Sequence, residues 1–441
     1  MILPVLKVKR TAVALTLGLI LIFPDMSPAA EAPETEAATL PSRFSWAERG
    51  KKPTVRSQGA LGTCWALTAA EALESALLPE QHLIFSADHL SLNNGFQITQ
   101  EQGGDYSMIM SYFADGKGPV LEEEDPYGDG ISPDGLARSA TASDMVLLEG
   151  MSREQIQKTI YGYGSVQSSL CMDRERTDNP KRGFYNPETF GYYDPVTEEL
   201  NHDILILGWD DDYLKENFKI APMSDGAWIC QNTWGEDFGE DGIFYVSYED
   251  ANLFRKGGIA YTGIQAGRTW DNCLEMDTLG WQARQGYGSE EAFFAGVFEA
   301  DAAQKMTGLG FYTVGPDSRY EAYLVRDFAE PEDLSLPESD PDMIALGSGS
   351  LEYPGFHTVS LTASEEALSL TAGRRFAVMI HLATPGAEKP VAVEVKKDSF
   401  TSPVTLEGRE SYISKDREKW DRTQDVYGTN VCLKVYTQDR S

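Results

Sequence analysis

The sequence predicts an α+β unit followed by an antiparallel β-sandwich, and three features of its 441 residues carry this prediction. A run of Ala, Leu and Glu begins at Cys64 and is typical of one buried helix. Continuous apolar runs at 204–207 and 228–230 are typical of strands that are buried on both faces. Beyond Gly267 the helical runs stop, and short apolar or alternating segments recur between turns, as in a β-sandwich.

Composition excludes some classes of partner. The formal net charge is −32, which argues against nucleic acid and anionic membrane surfaces as partners. A hydrophobic fraction of 41% is ordinary for globular proteins, and the length suits two or three domains.

The N-terminus has the pattern of an export signal. An apolar run over 11–23 follows three basic residues, which are Lys7, Lys9 and Arg10. Small residues then allow cleavage after Ala29 or Ala30, so we predict a signal peptide over 1–30 and a polar linker over 31–39. An uncleaved membrane anchor is the alternative. With no other long apolar run, we expect a secreted or cell-surface protein without a membrane span.

Cysteine usage indicates neither a zinc site nor a defined disulfide pattern. Export permits disulfides, but an odd count leaves at least one free thiol. The five cysteines have irregular spacings and form no CxxC pair; they are Cys64, Cys171, Cys230, Cys273 and Cys432. The acidic run at 210–212 lacks the spacing of a calcium loop, and a solvated turn explains it better. No cofactor or metal is predicted.

Cys64 has two interpretations. In the first turn of the predicted helix, unpaired N–H groups and the helix dipole favour a thiolate, which is the nucleophilic form of cysteine. An inert buried thiol is the alternative. A candidate base, His202, opens the buried strand at 204–207, and Asn232 follows the strand at 228–230.

Three blocks of sequence resemble the signature blocks of papain-like cysteine peptidases, in the same chain order. They are "QGALGTCWA", "NHDILILGW" and "QNTWGEDFGEDGIFYVSYED". The stretches "FSADHLSLNN" and "GGDYSMIMSYFADGKGPVLEEEDPY" resemble family segments that lie between them. The resemblance implies a papain-like domain over 40–266, with a helical and a β-barrel-like subdomain. It also implies an exported cysteine endopeptidase that acts on peptides or proteins through a thioester intermediate.

The resemblance assigns roles to individual residues. Cys64 would be the nucleophile, and His202 would accept and return its proton. Asn232 would orient the imidazole ring, and Gln58 would donate a side-chain N–H to the oxyanion hole. Trp234 resembles the family tryptophan that shields the His–Asn hydrogen bond from water.

The same resemblance suggests a substrate-binding group. Gly103, Gly104 and Tyr106 would form one wall of the S2 and S3 subsites. Trp234 is also expected to contact the substrate. Asp203 occupies the position after the histidine, which lines S2 in the family. A carboxylate there would favour Lys or Arg at P2. In the alternative, Asp203 turns away and is satisfied by a backbone N–H or a basic side chain.

The order of segments beyond Gly267 resembles the lectin-like domain of exported bacterial papain-like peptidases, which we predict over 267–441. This leaves a cell-surface or glycan ligand open, although no sugar site is evident in the sequence. Aromatic side chains there either stack on a sugar or pack within the domain; they are Trp281, Tyr353 and Trp420.

Some features depart from the family, and other functions stay open. Leu61 stands where family members often carry a cysteine, so the usual disulfides are not expected. The long interval between His202 and Asn232 holds an acidic insertion, which either shapes the primed side of the cleft or is a passive loop. An inactive scaffold that serves as a binding protein or adhesin is the main alternative function. A Cys-His-Asp acyltransferase is weaker, because it would need an aspartate at position 232.

Overall fold

A computed structural model describes residues 39–172 and 183–440. The predicted signal peptide and nearly all of the predicted linker lie outside these residues. Among the described helices, none combines the length and apolar composition that crossing a bilayer requires.

The N-terminal half combines helices with a β-sheet. Its α-helices are α1 (Cys64–Leu77), α2 (Ala87–Leu92), α3 (Tyr106–Ala114) and α4 (Arg153–Tyr163). Its strands are β1 (Arg43–Ser45), β2 (Ala140–Ala142), β3 (Met145–Leu147), β4 (Val166–Leu170), β5 (Tyr185–Asn186), β6 (Gly191–Tyr192), β7 (His202–Asp210), β8 (Ala227–Gln231), β9 (Ile243–Ser247), β10 (Gly258–Tyr261) and β11 (Ile264–Ala266). Short 3-10 helices occupy Ala47–Arg49, Gln100–Gln102 and Lys215–Asn217.

Helix α1 is the central helix that the sequence predicts. Its residues from Cys64 to Ser75 are all buried, which agrees with apolar residues on nearly every face. The helix ends at Leu77 because Leu78 is extended and precedes Pro79, which cannot continue a helix. Helix α1 packs on β7, and the bond from Thr68 to Asp203 shows that the start of the helix faces the start of that strand.

Strand β7 is buried along its whole length, as its continuous apolar run predicts. It pairs antiparallel with β4 on one side and with β8 on the other. The pairing of Leu205 with Gln231 places His202 and Asn232 at the same end of the sheet.

The insertion between β7 and β8 lies at the opposite end of this sheet. It starts after Asp210, the last residue of a nine-residue strand, so it is about 26 Å along β7 from His202. Tyr213 and Phe218 of the insertion pack on each other, and Tyr213 stacks on Tyr245. The idea that the insertion shapes the primed side of the cleft is therefore wrong, because the strand itself separates the two.

The C-terminal half is a β-sandwich with antiparallel pairing. Its strands are β12 (Asn272–Glu275), β13 (Ala283–Gln285), β14 (Glu291–Glu299), β15 (Gln304–Thr313), β16 (Ser318–Val325), β17 (Met343–Leu351), β18 (Gly355–Ser360), β19 (Ser369–Leu370), β20 (Arg375–Ala383), β21 (Val391–Val395), β22 (Ser411–Ser414), β23 (Asp421–Arg422), β24 (Thr429–Val431) and β25 (Leu433–Asp439). One layer has the order β17-β16-β20-β14-β22-β23, and the facing layer contains β12-β25-β15-β18. A 3-10 helix at Pro331–Ser335 and the one-turn helix α5 (Thr423–Val426) are its described helical segments.

The two halves share one sheet. Strand β18 of the sandwich pairs with β3 of the N-terminal half, through Gly355 with Val146 and Phe356 with Met145. The resulting sheet runs from β12 through β18, β3 and β7 to β5. The sequence analysis did not predict this continuity, because nothing in either strand alone specifies a partner in the other half.

Candidate active site

Cys64 is the first residue of α1 and is 8% exposed. Its backbone N–H has no acceptor within the helix, since the first intrahelical bonds run from Ala66 and Leu67 to Thr63. The loop before it is tied to the end of β8, because the N–H of Gln58 donates to the carbonyl of Thr233 at 2.8 Å. The thiol is thus placed by both the helix and the sheet.

His202 and Asn232 form a buried hydrogen-bonded pair. The Nε2 atom of His202 lies 2.8 Å from Oδ1 of Asn232. Because an amide oxygen only accepts, Nε2 carries the proton, and Nδ1 is left as the basic nitrogen of the neutral ring. The Trp234 ring lies over the imidazole, with 4.9 Å between ring centroids. The pair is therefore fixed in orientation and covered by an apolar ring.

The residue after the histidine connects this pair to the cysteine. Asp203 lies close enough to Cys64 for its charge to raise the pKa of the thiol. One turn further along α1, the hydroxyl of Thr68 donates to the carbonyl of Asp203 at 3.4 Å. The predicted nucleophile and the predicted base are thus brought together by the packing of α1 on the start of β7.

The electrostatics of Cys64 differ from the expectation for a lone helix-terminal thiol. Burial raises the pKa of the Cys64 thiol to about 12, and the charge of Asp203 raises it as well. Hydrogen bonds from backbone groups oppose this rise without cancelling it. The position at a helix terminus is therefore outweighed by desolvation, and a thiolate here needs a cation beside it.

Two hydrogen bonds hold the side chain of Gln58 and leave one of its amide hydrogens available as a donor. Its Oε1 accepts from the hydroxyl of Thr233 at 2.8 Å, and its Nε2 donates to the carbonyl of Leu61 at 2.8 Å. An amide nitrogen has two hydrogens, so the second remains available. Gln58 and the N–H of Cys64 are the two donors that the sequence analysis expects at the oxyanion hole.

The glycine stretch lies against the first turn of α1. A Cβ on Gly104 would lie 2.2 Å from the ring of Trp65, so only glycine allows this contact. The N–H of Gly62 donates to Gln100 at 2.8 Å, which joins the cysteine loop to the same stretch. Gly103 has φ of +82°, a conformation that favours glycine. The stretch that was predicted to bind substrate thus borders the cysteine.

Two family models match the chain. A model for "papain family cysteine protease" matches residues 40–263, which is more than half of the chain, and a model for a "lectin like domain" matches residues 274–437. The chain belongs to the papain family of cysteine proteases. Its C-terminal half is a lectin-like domain, so the fold is papain-like followed by a β-rich lectin-like domain.

Some relatives match about half of this chain, and others match most of it. Bovine cathepsin S is 28% identical over 228 residues, and rat procathepsin L is 27% identical over 229 residues. Each alignment covers 48% of this chain and 62% of the relative, so the chain spans less than two thirds of these relatives. A structure of the clostridial cysteine protease Cwp84 after propeptide cleavage superposes with a TM-score of 0.76 at 24% identity, over 91% of this chain and all of that one. A structure of the protease and lectin-like domains of Cwp84, a surface layer associated protein of Clostridium difficile, has the same TM-score at 23% identity, over 91% of this chain and 90% of that one.

Within this papain-family domain, Asp203 does not present a charge to an open pocket. Its side chain is buried, with the residue 6% exposed, and it accepts hydrogen bonds from Gln167 at 2.6 Å and Ser169 at 2.5 Å. Burial raises the pKa of Asp203, and these two hydrogen bonds lower it only in part. The structure therefore corrects the view of Asp203 as a free P2 carboxylate and favours the alternative of internal satisfaction, although neutral side chains supply it.

The partners of Asp203 belong to a wider polar network that sequence reasoning missed. The hydroxyl of Tyr106 lies 3.1 Å from Oγ of Ser169, and the hydroxyl of Tyr261 donates to Oε1 of Gln167 at 2.8 Å. One signal was present in the sequence. Gln167 and Ser169 stand two apart in the buried strand β4, so both side chains point to one face of the sheet.

Other candidates from the sequence have structural explanations. Trp281 packs near Tyr312 and Tyr353 near Tyr163, while Trp420 packs at the edge of a core cluster. These contacts agree with the alternative in which the rings pack against other side chains. None of the five cysteines, which all lie in the described part of the chain, forms a disulfide. In the acidic run, Asp210 pairs with Arg43, and Asp211 accepts from a tyrosine hydroxyl.

Proposed function

We propose that this protein is an exported cysteine endopeptidase in which Cys64, His202 and Asn232 hydrolyse peptide bonds. The observation that carries the proposal is the 2.8 Å bond from His202 to Asn232, at the start of a strand whose next residue, Asp203, is hydrogen-bonded by Thr68 one turn along α1 from Cys64. With Nε2 bonded to Asn232, Nδ1 of His202 is the ring nitrogen that would accept a proton, and the packing of α1 on β7 brings this residue toward Cys64.

The proposed reaction has two steps. His202 Nδ1 takes the proton of Cys64, and the sulfur attacks the peptide carbonyl. The C–N bond then breaks, the amine leaves with the proton from Nδ1, and a thioester remains. Nδ1 next deprotonates a water molecule that attacks the thioester; the acid leaves and the proton returns to Cys64.

The raised pKa of Cys64 fits this scheme. A lone thiolate is unfavourable in the site, so the sulfur ionises together with His202, and the resulting imidazolium supplies the missing cation. Asn232 holds the ring during this transfer. Gln58 and the N–H of Cys64 stabilise the oxyanion that forms on the carbonyl oxygen.

Location and substrate are further parts of the proposal. The N-terminal pattern indicates export, and Cwp84 is described as a surface layer associated protein. We therefore place this protein in the secreted or cell-surface fraction, with a cell-surface or glycan ligand for its lectin-like domain. A net charge of −32 attracts cationic peptides and disfavours nucleic acid.

The test compares two buried free thiols. Cys64→Ala should reduce hydrolysis of a fluorogenic peptide by about four orders of magnitude or more, because the nucleophile is lost. A thiol-reactive peptidyl probe should label the wild type at Cys64 only. Cys230→Ala is the matched control and should keep both activity and labelling. Hydrolysis at the wild-type rate in Cys64→Ala would overturn the mechanism, and a wild type that neither cleaves nor labels would favour the inactive adhesin.

A further inference from the structure

A buried ionic cluster joins the lectin-like domain to the peptidase domain. The ammonium of Lys434, on β25, lies 2.7 Å from Oδ1 of Asp115 and 2.7 Å from Oδ2 of Asp277. All three side chains are at most 1% exposed. Asp277 belongs to the lectin-like domain, whereas Asp115 belongs to the peptidase domain and follows α3 directly. Charges this deeply buried are tolerated only when they are paired, so the cluster fixes these three positions relative to one another.

The C-terminal end of α3 makes further bonds to the lectin-like domain. The carbonyl of Ala114, the last helical residue, accepts from the hydroxyl of Tyr436 at 2.8 Å. The hydroxyl of Ser111 donates to the carbonyl of Thr278 at 2.9 Å. The ammonium of Lys434 also lies close to the end of the helix, where the helix dipole favours a positive charge. The last turn of α3 is therefore attached to the other domain by hydrogen bonds and by an ion pair.

The segment after α3 packs closely against side chains of the lectin-like domain. A Cβ on Gly116 would lie 2.0 Å from the ring of Trp270, which itself stacks on Tyr436 with 4.5 Å between centroids. Lys117 lies 2.7 Å from Asp115 and so adds a second cation to the same carboxylate. These contacts hold the segment directly after α3 against the lectin-like domain.

The N-terminal end of α3 is the candidate substrate wall. Tyr106 is the first residue of the helix, and Gly104, two residues earlier, lies on the ring of Trp65 beside Cys64. The helix has nine residues and is therefore about 13 Å long. A short, buried helix of this kind moves as a rigid body, so a displacement at its end reaches its start.

We propose that the lectin-like domain positions the substrate wall of the peptidase, with Lys434 as the positioning residue that holds α3 in place. The inference rests on the proposed peptidase function for its kinetic consequence, but not for its structural one. Lys434 acts through the helix and does not touch the reacting atoms. Its loss should weaken the binding of substrate residues on the P2 and P3 side while leaving the chemistry of Cys64 intact.

The rest of the domain junction should survive the loss of Lys434. The pairing of β18 with β3 is independent of the cluster, and His357 lies 3.4 Å from Asp144 at another part of the same junction. A change at Lys434 therefore tests the position of α3 and does not separate the domains.

The experiment uses the full chain with two variants. Lys434→Met removes the cation and keeps the length of the side chain. If the single variant does not fold, a triple variant, Lys434→Met with Asp115→Asn and Asp277→Asn, also removes the two carboxylates that Lys434 paired. Lys305→Met is the control, because Lys305 pairs with Glu365 on the surface of the same domain.

Three readouts separate the outcomes. For a peptide that fills P1 to P3, we expect KM to rise about tenfold with kcat within about twofold, since only uniform binding is lost. The rate at which iodoacetamide alkylates Cys64 should not change, because this reagent needs no subsite. Hydrogen exchange should accelerate at the amides of 106–114 in the variant and not in Lys305→Met.

A folded variant with unchanged KM and unchanged exchange in α3 would overturn the inference. An equal fall in kcat and in the alkylation rate would also overturn it, because the cluster would then act on the cysteine and not on the wall. If the wild type proved inactive on every peptide, the peptidase proposal would fail, but the exchange measurement would still decide whether Lys434 holds α3.

Discussion

The candidate active site and the domain junction each contain a buried ionisable side chain, but the groups that surround this side chain differ. In the active site, Asp203 is hydrogen-bonded by Gln167 and Ser169, which are both neutral. In the junction, Lys434 lies between two carboxylates. Burial alone would lower the pKa of Lys434, but these two charges more than offset it and raise the pKa, so the side chain stays charged.

This difference matches what each region has to do. A site that moves protons needs groups whose protonation can change, and neutral hydrogen bonds permit this change at modest cost. In the junction the carboxylates keep Lys434 charged, although burial raises the pKa of Asp277 to about 7. Changing one buried or half-buried side chain at a time tests whether its neighbours determine its behaviour.

Gln58 gives the largest expected effect, because it is proposed to donate to the oxyanion. Gln58→Glu keeps the acceptor for Thr233 and removes the N–H donors, so kcat should fall by about 10²–10³-fold. The measurement is kcat on a fluorogenic peptide, together with a melting curve that shows the fold is kept. Gln97→Glu places the same charge change at an exposed position in the same half and should have no effect. Full activity in Gln58→Glu would exclude this side chain from the oxyanion hole.

Glu71 has both a neutral and a charged neighbour, so its surroundings combine those of Asp203 and Lys434. It is fully buried in α1, accepts from Gln231 at 3.1 Å, and has Arg56 at 4.0 Å. Burial raises the pKa of Glu71 to about 8, and Arg56 lowers it only in part. The native carboxyl therefore keeps its proton where the unfolded one has lost it, so this group makes stability fall as the pH rises from about 4.5 to about 8.

Glu71→Gln should remove that contribution. We expect the variant to be more stable than the wild type at pH 8.5 by about 1–3 kcal/mol, with little difference at pH 4.5. Urea unfolding at pH 4.5, 7 and 8.5 measures the change. Glu80→Gln, at an exposed position just after α1, is the control. Parallel pH profiles for wild type and Glu71→Gln would mean that Arg56 keeps Glu71 ionised throughout this range.

Asp203 tests the neutral network. Asp203→Ala leaves the donors of Gln167 and Ser169 without their acceptor, so the free energy of unfolding should fall by about 1–2 kcal/mol. Because the carboxylate is turned into the network, the ratio of kcat/KM for Arg against Leu or Phe at P2 should change less than about threefold. Asp203→Asn keeps one acceptor and should be the milder variant. A preference for Arg that disappears in Asp203→Ala would restore the view of Asp203 as the P2 determinant.

The sequence was sufficient for those parts of the molecule that local patterns determine. Helix α1 follows from a run of strong helix formers, and β7 and β8 follow from continuous apolar runs. His202 and Asn232 stand at strand ends, so antiparallel pairing of those strands brings them together.

The rest depends on contacts between residues far apart in the chain. The cluster around Lys434 needs residues 115, 277 and 434, and none of them carries a local pattern that points to the others. The orientation of Asp203 depends on β4 and β10, and the raised pKa of Cys64 depends on burial. Such properties arise from packing between elements, which single-sequence patterns do not encode.

Cys230 is the reference for the comparison of buried groups, because it is a buried thiol with no proposed role in the reaction. It is fully buried in β8 and packs in an apolar cluster, and burial raises the pKa of its thiol well above the usual value. Cys230→Ser places a hydroxyl in this core, so the free energy of unfolding should fall by about 1 kcal/mol. The value of kcat/KM should stay within about twofold of the wild type, whereas the same substitution at Cys64 should remove activity. Peptide hydrolysis and thermal unfolding of both variants, with Cys171→Ser as a further control that should also keep activity, make the measurement. A folded Cys230→Ser variant without turnover would show that the chemistry needs a second thiol. The distinction between Cys64 as the reactive thiol and Cys230 as a structural one would then be wrong.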